Sequence, residues 1–166
     1  MPKTKPLCRA VFDCMIFVQG AARVKNPANA CFELVENGEV SLFVSQEIID
    51  EVKDVLSRRQ LRNRFPALTD EIGEVFLKEV LSKSKQLKNA RPVFKYARDR
   101  KDEKYLNLAI EAEADFIVSR DKDLLDLMTG IDDKSKEFRQ RFRRLKIVKP
   151  VEFLNILAEK HLPLKR

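Results

Sequence analysis

Short apolar runs alternate along the chain with longer stretches whose apolar residues recur at helical spacing, and this alternation most limits what the chain can fold into. Residues 7–13 (LCRAVFD), 40–44 (VSLFV), 116–119 (FIVS) and 145–148 read as strands, because short apolar runs rich in β-branched and aromatic residues suit a sheet covered on both faces. Between them lie expected helices. One covers about 15–22. A second is capped by Asn26, opened by Pro27 and ended near Asn37-Gly38. A third follows Ser45 as N-cap, with Ile48, Ile49, Val52, Val55 and Leu56 on one stripe. Thr69 starts a fourth, with Ile72, Val75, Phe76, Val80 and Leu81 as its apolar set. Asp102 opens another through Ala114, a short one covers about 124–128, and Pro150 opens the last, through Ala158. Residues 83–101 are mixed, with a short strand expected near Leu87. The pattern predicts an α/β fold: a three-layer α/β/α domain with a mostly parallel central sheet.

The 166 residues are expected to form one domain, 1–166, with its core at about 7–158 and loose ends at 1–6 and 161–166. Only 4 glycines and 7 prolines occur, which argues against an all-β sandwich built on tight hairpins. Cys8, Cys14 and Cys31 are odd in number and lack metal-binding spacing, so buried thiols in a reducing cytoplasm are expected rather than disulfides or a zinc site. No segment reads as a signal peptide or membrane span, and a cytoplasmic location is expected.

The informative feature is the placement of certain acids. Asp13 ends the first strand and Asp121 lies two residues past the third, before a helix. In open α/β sheets the carboxyl ends of strands face the ligand crevice, so both can converge there. Glu51 sits on the helix after the second strand, and Asp102 shares a helix face with Leu106 and Ala109. Singly, most have a plainer explanation: acids at helix starts serve the helix dipole, which accounts for Asp102 and Asp121, and Glu51 can be a solvated helix residue. Asp13 resists this best, because apolar strands seldom end in an acid without purpose. Jointly, Asp13, Glu51, Asp102 and Asp121 are the expected catalytic set. Asp13, Asp102 and Asp121 are the expected ligands, and Asp123 is a possible fifth acid. Gathered carboxylates stay ionised only beside cations, and hard oxygen donors suit Mg²⁺ or Mn²⁺. Histidine chemistry is disfavoured, because the only histidine is His161, near the C-terminus.

At these residues the chain resembles the PIN-domain family, in particular its bacterial branch of toxin components of toxin–antitoxin pairs. The strongest segment is 102–125, DEKYLNLAIEAEADFIVSRDKDLL, where members show an acid, an apolar helix, an AD-x-(I/L)-V-(T/S) strand and x-D-K-D-L-L. Residues 45–56, SQEIIDEVKDVL, are similar to the family's second motif, with Glu51 at its acid. The opening motif departs: where members read D-T-N, this chain reads Asp13-Cys14-Met15, losing a hydroxyl and an amide. Asp99-Arg100-Lys101 stands where D-P-D is common. The resemblance implies a Mg²⁺-dependent ribonuclease, often dimeric and often silenced by a small antitoxin.

Basic residues number 33 against 26 acids, a net charge of +7, which favours polyanionic partners such as RNA. Basic runs occur at 58–64, 83–88 and 139–146. Arg58, Arg59, Arg100, Lys101 and Arg120 are the expected RNA contacts, through phosphate. An acidic antitoxin is an alternative occupant, and any run can be a solvated face. Two other functions stand beside the ribonuclease: a PIN-shaped binding module without catalysis, motivated by Cys14 and Met15, and a receiver-type phosphoacceptor domain. The receiver reading needs a phosphoacceptor acid after a middle strand, and the strand ending at Ser45 has none.

Overall fold

The computed structural model describes residues 5–22 and 25–161. The expectations for residues 1–4 and 162–166, and for the side chain of His161, lie outside the described residues. Strands β1 (Cys8–Phe12), β2 (Val40–Ser45), β3 (Lys85–Leu87), β4 (Phe116–Val118) and β5 (Lys146–Val148) form one sheet in the order β3-β2-β1-β4-β5. Every pairing is parallel, with Ala10 opposite both Leu42 and Phe116, and Ile117 opposite Ile147. The expected α/β architecture with a central parallel sheet is what forms.

The strands read as continuous apolar runs because helices cover both faces. Helices α1 (Cys14–Ala21), α2 (Pro27–Glu36), α3 (Gln46–Ser57), α5 (Asp70–Lys83) and α9 (Pro150–His161) pack against one another. On the sheet itself, α6 (Glu103–Glu111) lies across β1, β2 and β4, while α7 (Lys122–Thr129) packs on α8 (Asp133–Arg141) and β5. Phe12, Phe17, Phe32, Phe76, Phe116 and Phe153 meet edge to face through the layer holding α1, α2, α5 and α9. Such rings combine area burial with favourable quadrupole geometry.

The expected caps form. Asn26, Ser45 and Thr69 each accept a backbone N–H in the first turn of α2, α3 and α5. Gly38, at φ 80°, supplies the left-handed turn that ends α2. Three expectations need correction. The run 58–64 contains a short helix, α4 (Arg59–Arg64), and α8 occupies part of the third basic run; neither shows an apolar stripe strong enough to read in sequence. Val75, expected in the apolar set of α5, is 50% exposed, and Leu77, outside that set, is buried instead, alongside the expected Val80. The helix expected from Asp102 to Ala114 is a 3-10 turn, Arg100–Asp102, followed by α6, so Asp102 is its cap rather than its first residue.

Candidate active site

The chain lays β2 and β3 to one side of β1, then crosses to place β4 and β5 on the other. The crossing makes a switch point between β1 and β4, where the connections leave in opposite directions and open a crevice at the carboxyl ends of the strands. Asp13 and Asp121 flank this point. Asp13 is N-cap of α1, accepting from Ile16 N at 3.1 Å, and its own N–H donates to Val118 O at 3.1 Å, tying it to the end of β4. Asp121 is N-cap of α7, accepting from Asp123 N at 2.8 Å. The dipole role considered for Asp121 is therefore real, and only one of its oxygens is occupied by it.

Ser119, fully buried at the end of β4, joins the two acids. Its hydroxyl donates to Asp13 Oδ2 and accepts the Asp121 N–H at 2.9 Å. Asp102, the cap residue at the start of α6, joins them. Asp13, Glu51, Asp102 and Asp121 all line one hollow, together with Asp99, Cys14, Met15, Gln19 and Tyr105. The four acids expected from sequence are thus brought to one place.

The tightest grouping differs from the expected ligand trio. Asp99, Asp102, Asp121 and Asp123 each offer an oxygen within 4.8 Å of the others. Asp13 lies beside this group and is coupled to it through Ser119 and through the charge of Asp121. Asp99 was not among the expected ligands. Its signal in sequence is its position, three residues before Asp102 in the stretch Asp99-Arg100-Lys101. Asp123, the possible fifth acid, is also held by Arg98 Nε at 2.7 Å.

Burial and repulsion act together here. Asp13 is 6% and Asp102 5% exposed. Burial pushes the Asp13 carboxyl up to about 6, against the pull of the Ser119 hydroxyl and the Ile16 amide. Burial, then the neighbouring Asp121 and Asp99, raise Asp102 further above the usual carboxylate range. Asp102 Oδ2 is buried with no hydrogen-bond partner. An unpartnered buried carboxylate oxygen within a ring of acids is costly unless a cation takes the place of water. The donor set is all hard oxygen, which fits Mg²⁺ or Mn²⁺ and not a soft metal.

Glu51 has a different environment. Lys104 Nζ lies 2.7 Å from its Oε2, and the Tyr105 hydroxyl donates to its Oε1. Burial acts to raise its pKa, but these two partners outweigh it and hold the carboxyl below its ordinary value. Both oxygens are engaged, whereas Oδ2 of Asp102 is not. The half-buried Cys14 thiol is pushed up to about 12, chiefly by burial and then by the charge of Glu51, so it stays a neutral wall of the hollow. Cys8 and Cys31 are buried free thiols, as expected.

The cations divide. Lys101 and Arg120 line the hollow, joined by Arg64, which had not been singled out. Arg100 lines an adjoining hollow with Lys101 and Lys104. Arg58 pairs instead with Asp54 at 2.7 Å, and Arg59 is exposed on α4 outside the hollow.

At the switch point of this all-parallel α/β domain, Asp99, Asp121 and Asp123 thus crowd around the buried Asp102. A family model described as PIN domain matches residues 9–123, and the chain belongs to the PIN-domain family. No curated protein matches it in sequence. Among solved structures it is similar to a chain in the crystal structure of VapBC2 from Rickettsia felis bound to a DNA fragment from their promoter. That likeness has a TM-score of 0.52 and 14% identity over 85% of this chain and 98% of the other, and it speaks to the fold. Family membership displaces the receiver alternative.

Proposed function

We propose that this protein is a metal-dependent endoribonuclease, the toxin partner of a toxin–antitoxin pair. The observation that carries the reading is the buried, unpartnered Asp102 Oδ2 inside the ring of Asp99, Asp121 and Asp123, at the switch point of a PIN fold. Asp102 and Asp121 would hold Mg²⁺ or Mn²⁺, with Asp13 and Asp99 completing the donor set. A divalent ion bound there supplies Lewis-acid stabilisation of charge developing on a phosphate and lowers the pKa of water.

The chain's own residues do the rest. Ser119 fixes the spacing of Asp13 and Asp121. Lys104 and Tyr105 keep Glu51 ionised and aimed, so that it can orient a water or accept its proton. Lys101, Arg64 and Arg120 at the rim offset the negative field of the acids and receive the phosphates on either side of the cleaved bond. Hydrolysis in line leaves a 5′-phosphate and a 3′-hydroxyl. The likeness to a chain of VapBC2 supports an antitoxin protein as partner. The same reading proposes a homodimer working in the cytoplasm. Among the described residues no helix is long and apolar enough to cross a membrane.

A second reading is a binding module of the same fold without catalysis. It is favoured by the double engagement of Glu51 and by Cys14 and Met15 in place of a hydroxyl and an amide. Incubation of the purified protein with Mn²⁺ and mixed single-stranded RNA decides between them. Cleavage that Asp102→Asn abolishes supports the nuclease. Cleavage that survives the substitution would falsify the assigned site. A product ending in a 2′,3′-cyclic phosphate rules out the hydrolytic route, and absence of cleavage with Mn²⁺, and with Mg²⁺ in its place, leaves the binding module.

A further inference from the structure

The acidic hollow adjoins a second, larger groove through one shared residue. Arg120, which follows β4 by two positions, lines both. From it a groove of about 860 Å³ runs between α7, β5 and α9, walled by Lys122, Lys146 and Lys149. All four cations are exposed, and none forms an ion pair among the described residues. Of the two acids on its walls, Asp126 is neutralised by Arg98 at 2.6 Å, which leaves only Glu152 to offset the lysines. Several basic residues nearby and on α4 are instead spent on structure: Arg139 donates to the carbonyls of Leu127 and Gly130, Arg141 pairs with Glu137, and Arg62 with Asp70.

We infer that this groove is the track along which a single-stranded nucleic acid leaves the acidic hollow, its phosphates held by Lys122, Lys146 and Lys149. The inference rests on the nuclease reading for its direction, and on the groove itself for its occupant. A polyanion cannot be retained by an acidic hollow alone, so cations must hold it on the flanks. Lys149 stands just past the carboxyl end of β5 and Lys146 at its start, a span of about 10 Å at roughly 3.3 Å per residue. That runs the positive wall down the edge of the sheet, away from the acids. An added peptide strand is a poorer occupant. The outward N–H of Ile147 on this edge strand already donates to Met128 Sδ at 3.4 Å, so the edge presents side chains rather than a free ladder.

The test is binding without cleavage. Fluorescein-labelled oligouridylate of about 12 nucleotides is titrated with the full protein in EDTA, by anisotropy, across a salt series from about 0.05 to 0.2 M. Lys146→Gln/Lys149→Gln is compared with wild type and with Lys85→Gln/Lys88→Gln, which removes the same charge at the opposite sheet edge. Each lost phosphate contact reduces the slope of log affinity on log salt by about 0.7, so the groove variant is expected to be about 1.4 shallower and the edge control unchanged. All four lysines are exposed, and matching melting temperatures confirm folding. Unchanged slope in the groove variant overturns the inference, as does an equal fall in the control, which would signal net charge alone. Groove-dependent binding of labelled polyglutamate without RNA binding also overturns it, in favour of an acidic protein. If the wild type cuts RNA but the slope does not respond, only this inference falls. If the slope responds and nothing is cut, the nuclease reading falls and the track stands.

Discussion

Tyr105 and Glu51, on different helices and far apart in sequence, are joined by a hydrogen bond from the phenol to the carboxylate, and the same phenol accepts the Cys14 N–H at 3.1 Å. One hydroxyl therefore ties the start of α1, just after Asp13, to α3 and α6. Position 14 is a cysteine, and Tyr105 brings a hydroxyl to the same corner from α6. Removing it, in Tyr105→Phe, leaves the Cys14 amide and one Glu51 oxygen without this partner. The expected result is a fall in kcat of about tenfold to a hundredfold with KM nearly unchanged, and a stability loss of about 1–2 kcal/mol. Steady-state cleavage kinetics and urea melts measure both; a change confined to stability would make the phenol merely structural.

Asp102→Asn separates repulsion from catalysis. The substitution removes one charge from the ring and gives the buried position an amide donor toward Asp121 and Asp99. Metal-free protein is expected to melt higher by a few degrees, roughly 1–2 kcal/mol for a chain of this size, while cleavage is lost. Adding Mg²⁺ should raise the melting temperature of wild type and not of the variant. Calorimetry with and without EDTA checks the pair of effects.

The pH dependence has a defined sign. Asp13 and Asp102 have folded pKa values raised above the unfolded 3.8, so the folded state binds the extra protons. Metal-free stability contributed by these groups is then greatest below about 3.8 and declines as pH rises through about 6 for Asp13, and higher for Asp102. For Asp13 the decline amounts to about 3 kcal/mol. The melting-temperature advantage of Asp102→Asn should therefore widen as pH rises. Mn²⁺ affinity should move oppositely, weakening as pH falls through about 6, because protons compete for the same oxygens. Titration calorimetry between about pH 5 and 8 reads it.

Gly20 is a packing prediction away from the chemistry. A Cβ there would sit 2.5 Å from two carbons of the Phe32 ring, which is itself wedged among Phe12, Phe17 and Phe76. The ring has nowhere to yield. Gly20→Ala is expected to cost about 1–3 kcal/mol in a urea melt, despite the better helix propensity of alanine.

Much of the fold could be read before any coordinates. The strands announce themselves as apolar runs, and Asn26, Ser45 and Thr69 mark helix starts by chemistry that acts within one turn. Asp13 and Asp121 could be placed at strand ends for the same reason: strand, then acid, then helix is a local pattern. Helices α4 and α8 escaped because they are short and largely polar, held by tertiary contacts such as the burial of Leu61 and Phe138.

Sequence by itself determined the alternation of strand and helix, the acids that terminate strands, and the excess of positive charge. Only the tertiary structure decided that Asp99 and Asp123 close the ring, that Lys104 and Tyr105 occupy both oxygens of Glu51, and which basic residues remain unpaired. Local patterning is written in neighbours along the chain, because backbone hydrogen bonds and caps reach only a few residues. Charge pairing and desolvation depend on distance through space and on what excludes water, and those exist only once β1 and β4 lie side by side.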